Sequence, residues 1–211
     1  EKFYVEKINI FGNNITAENV IRNQFEVDEG DPFNEILVNK SINNLKSLGF
    51  FREVKKDISD GNANNSKIID IILKEKPTGE LSAAAGVGTD GGTIGFGVKE
   101  NNFMGNGISL DTNFTIASDS FKGKFSVTNP NYNNTDKTVK TVIESSANDF
   151  MSSSGYKTSR TGFSIGTEFE QKNNFFVNLD LSNFYEDLET SSNATNIIKK
   201  QEGNYIENLL S

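Results

Sequence analysis

The sequence contains no cysteine, no histidine and no tryptophan, and only three of its 211 residues are proline. Without cysteine there is no disulfide and no thiol nucleophile. Without cysteine and histidine, the commonest zinc ligands and the side chain most often used for general acid–base catalysis are missing as well. These absences argue against an enzyme with catalytic residues, and we expect no metal site and no cofactor.

Positive charge is also scarce. The 21 lysines and arginines are outnumbered by 29 aspartates and glutamates, which gives a net charge of -8 at pH 7. Nucleic-acid binding depends on lysine and arginine against phosphate, and no basic run compensates for the acidic balance, so we expect no nucleic-acid partner. No stretch approaches the ~18 apolar residues of a membrane helix. Because the N-terminus has no signal-peptide pattern and the C-terminus stops without a turn or a cap, we expect the chain to be a fragment.

Residues 1–77 have the pattern of a small α+β domain with the order β-α-α-β-β. The segment FYVEKINIFG alternates like a strand. Thr16 is placed to cap a first helix that runs through Phe25, and a second helix starts near Asn34. Gly49 follows its last turn, and the two segments FFREVKKDIS and SKIIDIILKE predict two further strands.

Residues 78–211 follow a different pattern, with no helical period. Seven segments of roughly ten residues alternate apolar and polar side chains, and an eighth begins near Tyr205. One face is apolar in every segment, and the opposite face carries the charges. The apolar faces include the side chains that we predict to face lipid if the sheet is a membrane barrel: Phe96, Phe114, Phe125, Phe163 and Leu179.

Two architectures fit such strands. A soluble sandwich buries its apolar faces in one core, whereas a transmembrane barrel turns them outward to lipid. Ten residues at ~3.3 Å each, tilted by about 40°, cover about 25 Å, which is the height of the apolar band of an outer-membrane barrel. Strand length therefore favours the barrel modestly, and the sandwich stays open at this point.

The stretch GVGTDGGTIGFG, residues 86–97, contains a literal G-x-G-x-x-G match. A dinucleotide fingerprint needs a helix that opens from the glycines, but TIGFGVKE follows here with the period of a strand. Asp90 and Gly91 instead suggest a hairpin turn. The small residues on the inward phase would let backbone or a plug approach closely and let a barrel wall bend, and they also make a weak strand.

Several segments together resemble a known family. INIFGNNITAENVIR, EGDPFN, NNLKSLGFFREVKKDI and IDIILKEKPTG resemble the last POTRA domain of the BamA family, and GVGTDGGTIGFGVKENNFMGNG and FSVTNPNY resemble the start of its barrel. The resemblance implies an α+β POTRA domain at 1–77 in the periplasm. It implies that 78–211 are the N-terminal part of a bacterial outer-membrane β-barrel: about eight antiparallel transmembrane strands that form a partial barrel.

The resemblance also implies a function, which is to fold and insert β-barrel proteins into the outer membrane. The first barrel strand would be a weak lateral gate that templates client strands. In this sequence its residues are Leu81, Ser82, Ala83, Ala84, Ala85, Gly86, Val87 and Gly88. The implied partners are outer-membrane lipid, unfolded client barrels, and a BamD-like lipoprotein with the other assembly subunits. Glu29, with Asp28 beside it, matches the family's lipoprotein contact.

Two other classes of protein remain as alternatives. One is a related transporter with the same layout, either TamA-like or a two-partner secretion pore. The other is a soluble β-sandwich adhesin or binding module behind a small α+β domain. The sandwich predicts that Phe96, Phe114, Phe125 and Leu179 pack against one another beneath a second sheet.

Overall fold

The computed structural model describes residues 2–88, 91–172 and 175–211, and Asp90 of the expected hairpin turn lies outside them. Eleven strands and three α-helices follow one another along this part of the chain. In order they are β1 Tyr4–Phe11, α1 Glu18–Arg22, α2 Glu35–Ser47, β2 Phe51–Asp60, β3 Ser66–Glu75, β4 Gly79–Gly88, β5 Gly91–Phe103, β6 Ile108–Ala117, β7 Ser120–Asn129, β8 Thr138–Phe150, β9 Tyr156–Lys172, β10 Phe175–Thr190, α3 Asn196–Lys199 and β11 Gly203–Leu210.

The first five elements build the predicted β-α-α-β-β unit. Its three strands form a sheet of order β1-β3-β2, in which β3 is parallel to β1 and antiparallel to β2. The helices and strands enclose a core whose fully buried members include Val38, Leu45, Ile69 and Ile71. Burying one such side chain stabilises the fold by about 1.5–3 kcal/mol, so this core is the main support of the unit.

The two helices differ in how well the sequence predicts them. Asn34 caps α2 through its side-chain oxygen, which accepts from the backbone N–H of Ile36, and Gly49 adopts φ +73° after the helix, as expected. The first helix is shorter than predicted, and its cap was assigned wrongly. It ends at Arg22 instead of Phe25, and its N-cap is Ala17. Thr16 is buried and has other partners, described below.

The remaining eight strands form one antiparallel sheet in the order β11-β10-β9-β8-β7-β6-β5-β4. Each strand lies beside its neighbour in the sequence, as in a meander of hairpins. A sandwich would require a second sheet over the apolar face, and the described residues of this half supply none. The predicted order of elements, an α+β domain followed by a run of antiparallel strands, is confirmed.

The ends of the strands depart from the prediction. The sequence indicated long loops over residues 148–157 and 186–204, but β8 continues to Phe150, β9 starts at Tyr156 and β10 continues to Thr190. These strand ends are rich in Ser, Thr, Asn and acidic residues, which are typical of loops in isolation. Here they pair directly across the sheet, for example Glu189 with Lys157.

The chain groups into two compact units by contact. One contains residues up to Thr78 together with Asn101–Gly107, and the other contains Gly79–Glu100 and Ile108–Ser211. Contact grouping is not a boundary between folding domains, so the predicted division between 77 and 78 stays a prediction. In the part of the chain that the structure describes, no helix is long and apolar enough to span a bilayer.

Candidate functional site

Strand β4 is the last strand of the eight-stranded sheet, and its neighbour is β5. The two strands pair without interruption from Gly79 opposite Glu100 to Gly88 opposite Gly91. An edge strand presents a row of N–H and C=O groups that have no partner in the sheet. All eight residues predicted for the lateral gate lie on this strand.

The side chains of β4 give the strand little support. All ten of its residues are exposed, and six of the ten are glycine or alanine. Its two large apolar side chains are almost fully accessible, with Leu81 84% and Val87 93% exposed. The backbone bonds to β5 are therefore the main attachment of β4, and its role as a gate stays a prediction.

The glycines near this edge do not all serve close packing. A Cβ at Gly97 would lie 2.4 Å from the Ser82 hydroxyl and 2.6 Å from the Asn113 side-chain oxygen, so the backbone is closely approached there. At Gly86 and Gly88 a Cβ would have no heavy atom within 4 Å. At Gly97 the close approach is thus made by the ends of two side chains and not by backbone, whereas Gly86 and Gly88 leave the strand uncovered.

The five side chains predicted to face lipid are all exposed, at between 40% and 55%. They belong to a broader apolar face, because Phe125 lies opposite Ile143 and Ile143 lies opposite Phe163 across β7, β8 and β9. A continuous exposed apolar face of this kind is unusual in a soluble monomer and marks contact with a membrane or a partner.

The polar face of the same sheet has its densest cluster at Arg160. Its guanidinium pairs with Glu186 at 3.1 Å and with Glu207 at 2.8 Å, and it lies 3.9 Å from the centre of the Phe184 ring. The Phe184 ring in turn covers Gly162, where a Cβ would come within 2.4 Å of it. These contacts join β9, β10 and β11 through their side chains.

A cavity of about 540 Å³ opens beside this cluster, with Arg160, Glu186, Gln201 and Tyr205 in its lining. Neither a cysteine nor a histidine is available to act there, because the sequence has none. The described residues also contain no group of three or more carboxylates arranged to hold a metal ion. The contacts of Arg160 on this face thus hold three neighbouring strands together.

The two acids predicted to contact a lipoprotein lie in the loop between α1 and α2. One carboxylate oxygen of Glu29 accepts the backbone N–H of Ile8 at 3.0 Å, and it lies 3.7 Å from the Arg22 guanidinium. Arg22 also donates to the Ile8 carbonyl at 3.1 Å. Asp28 is exposed, and its backbone N–H is accepted by Asp31. Glu29 therefore supports its own loop, while Asp28 has a side chain open to solvent.

A further constellation, which the sequence alone did not indicate, joins the β5–β6 turn to the loop before α1. The buried Asn102 donates to the Thr16 hydroxyl at 2.9 Å and accepts the Gly107 N–H at 2.8 Å. The Ala17 N–H is accepted by the Gly105 carbonyl at 2.9 Å. We call these contacts the Asn102 clasp.

Glu75, the last residue of β3, secures the loop on the other side of the Asn102 clasp. Its carboxylate accepts the backbone N–H groups of Asn14, Ile15 and Thr16 at 2.9, 3.0 and 2.7 Å. Burial raises the pKa of Glu75, but the hydrogen bonds from Thr16 and from the three backbone N–H groups outweigh it and hold the pKa below its usual value. The loop is thus fixed by a carboxylate that is ionised in neutral solution.

Sequence reasoning missed Arg160 and Asn102 for different reasons. Arg160 lay between the expected loop over residues 148–157 and the predicted strand that began at Thr161, although the alternation Thr158, Arg160, Gly162 would have placed it on the polar face of a strand. Asn102 is one of many asparagines, and its partner Thr16 is 86 residues away. Only the folded chain brings those two together.

Comparison with known proteins gives consistent matches. Residues 3–76 match the POTRA family, whose description is "surface antigen variable number repeat". The chain is 37% identical over 106 residues to the outer membrane protein assembly factor BamA of Neorickettsia risticii, a match that covers 50% of this chain and 14% of that protein. It is 26% identical over 218 residues to BamA of Nitratidesulfovibrio vulgaris, with 99% of this chain and 26% of that protein covered.

Among solved structures, the fold matches the crystal structure of BamA from Haemophilus ducreyi lacking POTRA domains 1–3. The TM-score is 0.80 at 24% identity, and the match covers 99% of this chain and 42% of that one. The chain spans only 14% and 26% of the length of the two relatives above. The POTRA unit, the strands that follow it and the order of the two halves all have a counterpart in that solved structure.

Proposed function

The chain belongs to the BamA family, and from that premise we propose that it presents β4 as the strand on which client proteins begin to pair during outer-membrane protein assembly. Its location is the bacterial outer membrane, with the POTRA domain in the periplasm. The proposed role involves no catalysis, because a strand template works by hydrogen bonding alone.

One observation supports the template above all others: β4 is an edge strand that is exposed along its whole length. A client strand added to its free edge would gain two backbone hydrogen bonds at every second residue, each contributing about 0.5–1.5 kcal/mol net. Glycine and alanine side chains neither block the approach nor add packing that would make the pairing permanent. A strand of this composition therefore suits capture followed by release.

The apolar face of the sheet supplies the second part of the proposal, which is contact with lipid. We assign Phe96, Phe114, Phe125, Phe163 and Leu179 to the hydrocarbon-facing surface, because their alternation with polar residues matches a barrel wall. Charged side chains such as Lys122, Arg160 and Glu186 would then lie on the lumen side, where water can solvate them.

Cysteine trapping tests the template, and the absence of native cysteine makes it clean. Ser82→Cys on β4 and Ser109→Cys on β6 are the same substitution, and β6 has a neighbour on both sides. The probe is an unfolded β-barrel client with one cysteine in its final strand, added to the full chain in lipid vesicles. We expect disulfide formation at position 82 several-fold above that at 109. Equal trapping at the two positions would contradict the proposal.

The lipoprotein contact at Glu29 and Asp28 needs a test that separates charge from local structure. Glu29→Gln removes the charge but keeps an oxygen that can accept the Ile8 N–H. Asp28→Asn removes the neighbouring charge. If the acids bind a basic surface on a BamD-like lipoprotein, each variant should weaken its binding while thermal stability stays unchanged. Wild-type binding by the double variant would refute the assignment.

A further inference from the structure

The β5–β6 turn carries an exposed methionine in an unusual backbone conformation. Met104 is 77% exposed, and its φ is +52°, in the left-handed region where an L-residue other than glycine, asparagine or aspartate is uncommon. Glycine would relax this position. A large apolar side chain held there at some cost in conformational energy points to a use for the side chain itself.

A second exposed apolar side chain lies beside this turn. Ile15 is 68% exposed, and its carbonyl oxygen lies so close to the Gly105 backbone that a Cβ on Gly105 would come within 1.9 Å of it. Met104 precedes Gly105, so Ile15 and Met104 stand on two loop segments that are packed together. We call these two side chains the apolar tip.

The apolar tip is built on a rigid base. The Asn102 clasp fixes the turn, and the Glu75 carboxylate fixes the loop that contains Ile15. Two side chains on flexible loops would lose conformational entropy on binding, and that loss would oppose association. Here the backbone beneath them is already ordered, so binding through these side chains loses little further conformational entropy.

Continuity with β5 identifies what the apolar tip would contact. β5 carries Ile94, Phe96 and Val98 on its exposed apolar face and ends at Phe103, one residue before Met104. Its 13 residues tilted by about 40° rise about 33 Å, which exceeds the apolar band of about 25 Å by the depth of a headgroup layer. A turn that directly follows such a strand would lie at the membrane surface and not far out in water.

We propose that Ile15 and Met104 insert into the periplasmic headgroup and acyl boundary of the outer membrane and so anchor the loop before α1 to the lipid surface. Side chains with these properties partition into that boundary because it accepts apolar groups next to a hydrated backbone. The inference rests on the proposed orientation of the strands, with the apolar face of β5 toward lipid.

The absence of tryptophan allows each position to be probed alone. In four separate full-length variants, a single tryptophan replaces Met104, Ile15, Ile36 or Phe114. Each variant is refolded into vesicles of phosphatidylethanolamine and phosphatidylglycerol with brominated acyl chains. Ile36 is the matched control, because it is 78% exposed on α2 in the same unit. Phe114 reports on the proposed lipid face of the sheet. Circular dichroism verifies that each variant is folded.

We expect bromolipid quenching at positions 104 and 15 to exceed that at position 36 several-fold, with emission shifted to shorter wavelength. Quenching at 114 with none at 104 and 15 would overturn the apolar tip and leave the proposed orientation of the sheet intact. No quenching at 114 would overturn that orientation and the inference with it. Equal quenching at 36 and 104 would indicate non-specific adsorption and would also overturn it.

Discussion

Two regions of the eight-stranded sheet are held together in different ways. At one end β4 pairs with β5 over ten positions and has no buried residue. Inside the sheet, toward the other edge, β10 pairs with β9 over sixteen positions, and the Arg160 cluster joins β9 to β10 and to the edge strand β11. The same alternating pattern thus produces one strand held by its backbone and a group of strands held by side chains as well.

This difference separates a strand that can be exchanged from a wall that must persist. Backbone pairing is independent of sequence, so a client strand can replace or extend it. Side-chain contacts such as Phe184 over Gly162 are specific to one register and would be lost if the strands moved. The difference therefore favours opening of the sheet between β4 and β5 over opening between β9 and β10.

The largest expected effect comes from making the same substitution, glycine to alanine, in both regions of the sheet. Gly162→Ala would put a Cβ 2.2 Å from the Asn183 carbonyl oxygen and 2.4 Å from the Phe184 ring, and we expect a loss of about 3 kcal/mol by overpacking. Gly86→Ala meets no atom within 4 Å and should change stability by less than about 1 kcal/mol. The measurement is the free energy of unfolding of each variant, obtained by urea titration in detergent. Equal losses in the two variants would mean that β4 and β9 are packed alike.

The next test concerns the turn at the far end of β5. Asn102→Ala removes the acceptor of the Gly107 N–H and one of the partners of the Thr16 hydroxyl, which keeps its bond to Glu75, and an orphaned buried group costs about 1–3 kcal/mol. Asn106→Ala, in the same turn but exposed, is the matched control and should be close to neutral. Hydrogen exchange at Ala17 and Gly107 should accelerate in the first variant only. Unchanged protection at both amides would show that the Asn102 clasp is not needed to hold the turn.

Arg160→Met tests the side-chain attachment of β11 more gently. It keeps the aliphatic length but removes the contact with the Phe184 ring and both carboxylate pairs, which are half exposed and therefore weak. We expect a loss of about 1 kcal/mol and faster amide exchange along β11. Lys140→Met, an exposed cation on β8, should leave β11 unchanged. Equal amide exchange along β11 in the two variants would show that Arg160 does not help to attach β11.

The smallest effect is a dependence on pH. The pKa of Glu75 is lowered in the folded chain, so its contribution to stability is complete above its ordinary pKa of 4.5 and is lost as the pH falls through the folded value. Glu75→Gln lacks this ionisation. The stability difference between wild type and this variant should be constant near neutrality and shrink below pH 4.5. A difference that does not change with pH would contradict the role of the carboxylate.

The sequence predicts this fold well where the signal is local. The alternation of β4–β10 and the spacing of Val38, Ile42 and Leu45 on α2 each reflect one buried or one apolar face within a single element. It predicts poorly what depends on distant partners. Thr16 was assigned to a helix cap because its partner Asn102 is 86 residues away, and Arg160 pairs with Glu207 across 47 residues.

Amide hydrogen exchange on the full chain in lipid vesicles tests the weak edge most directly. The informative amides are those of β4 that are bonded to β5 and those of β9 that are bonded to β10, because both sets are paired in the sheet. We predict that the β4 amides open with a free energy several kcal/mol below that of the β9 amides. Equal protection in the two sets would mean that β4 is as firmly attached as the rest of the sheet, and the gate would have no physical basis.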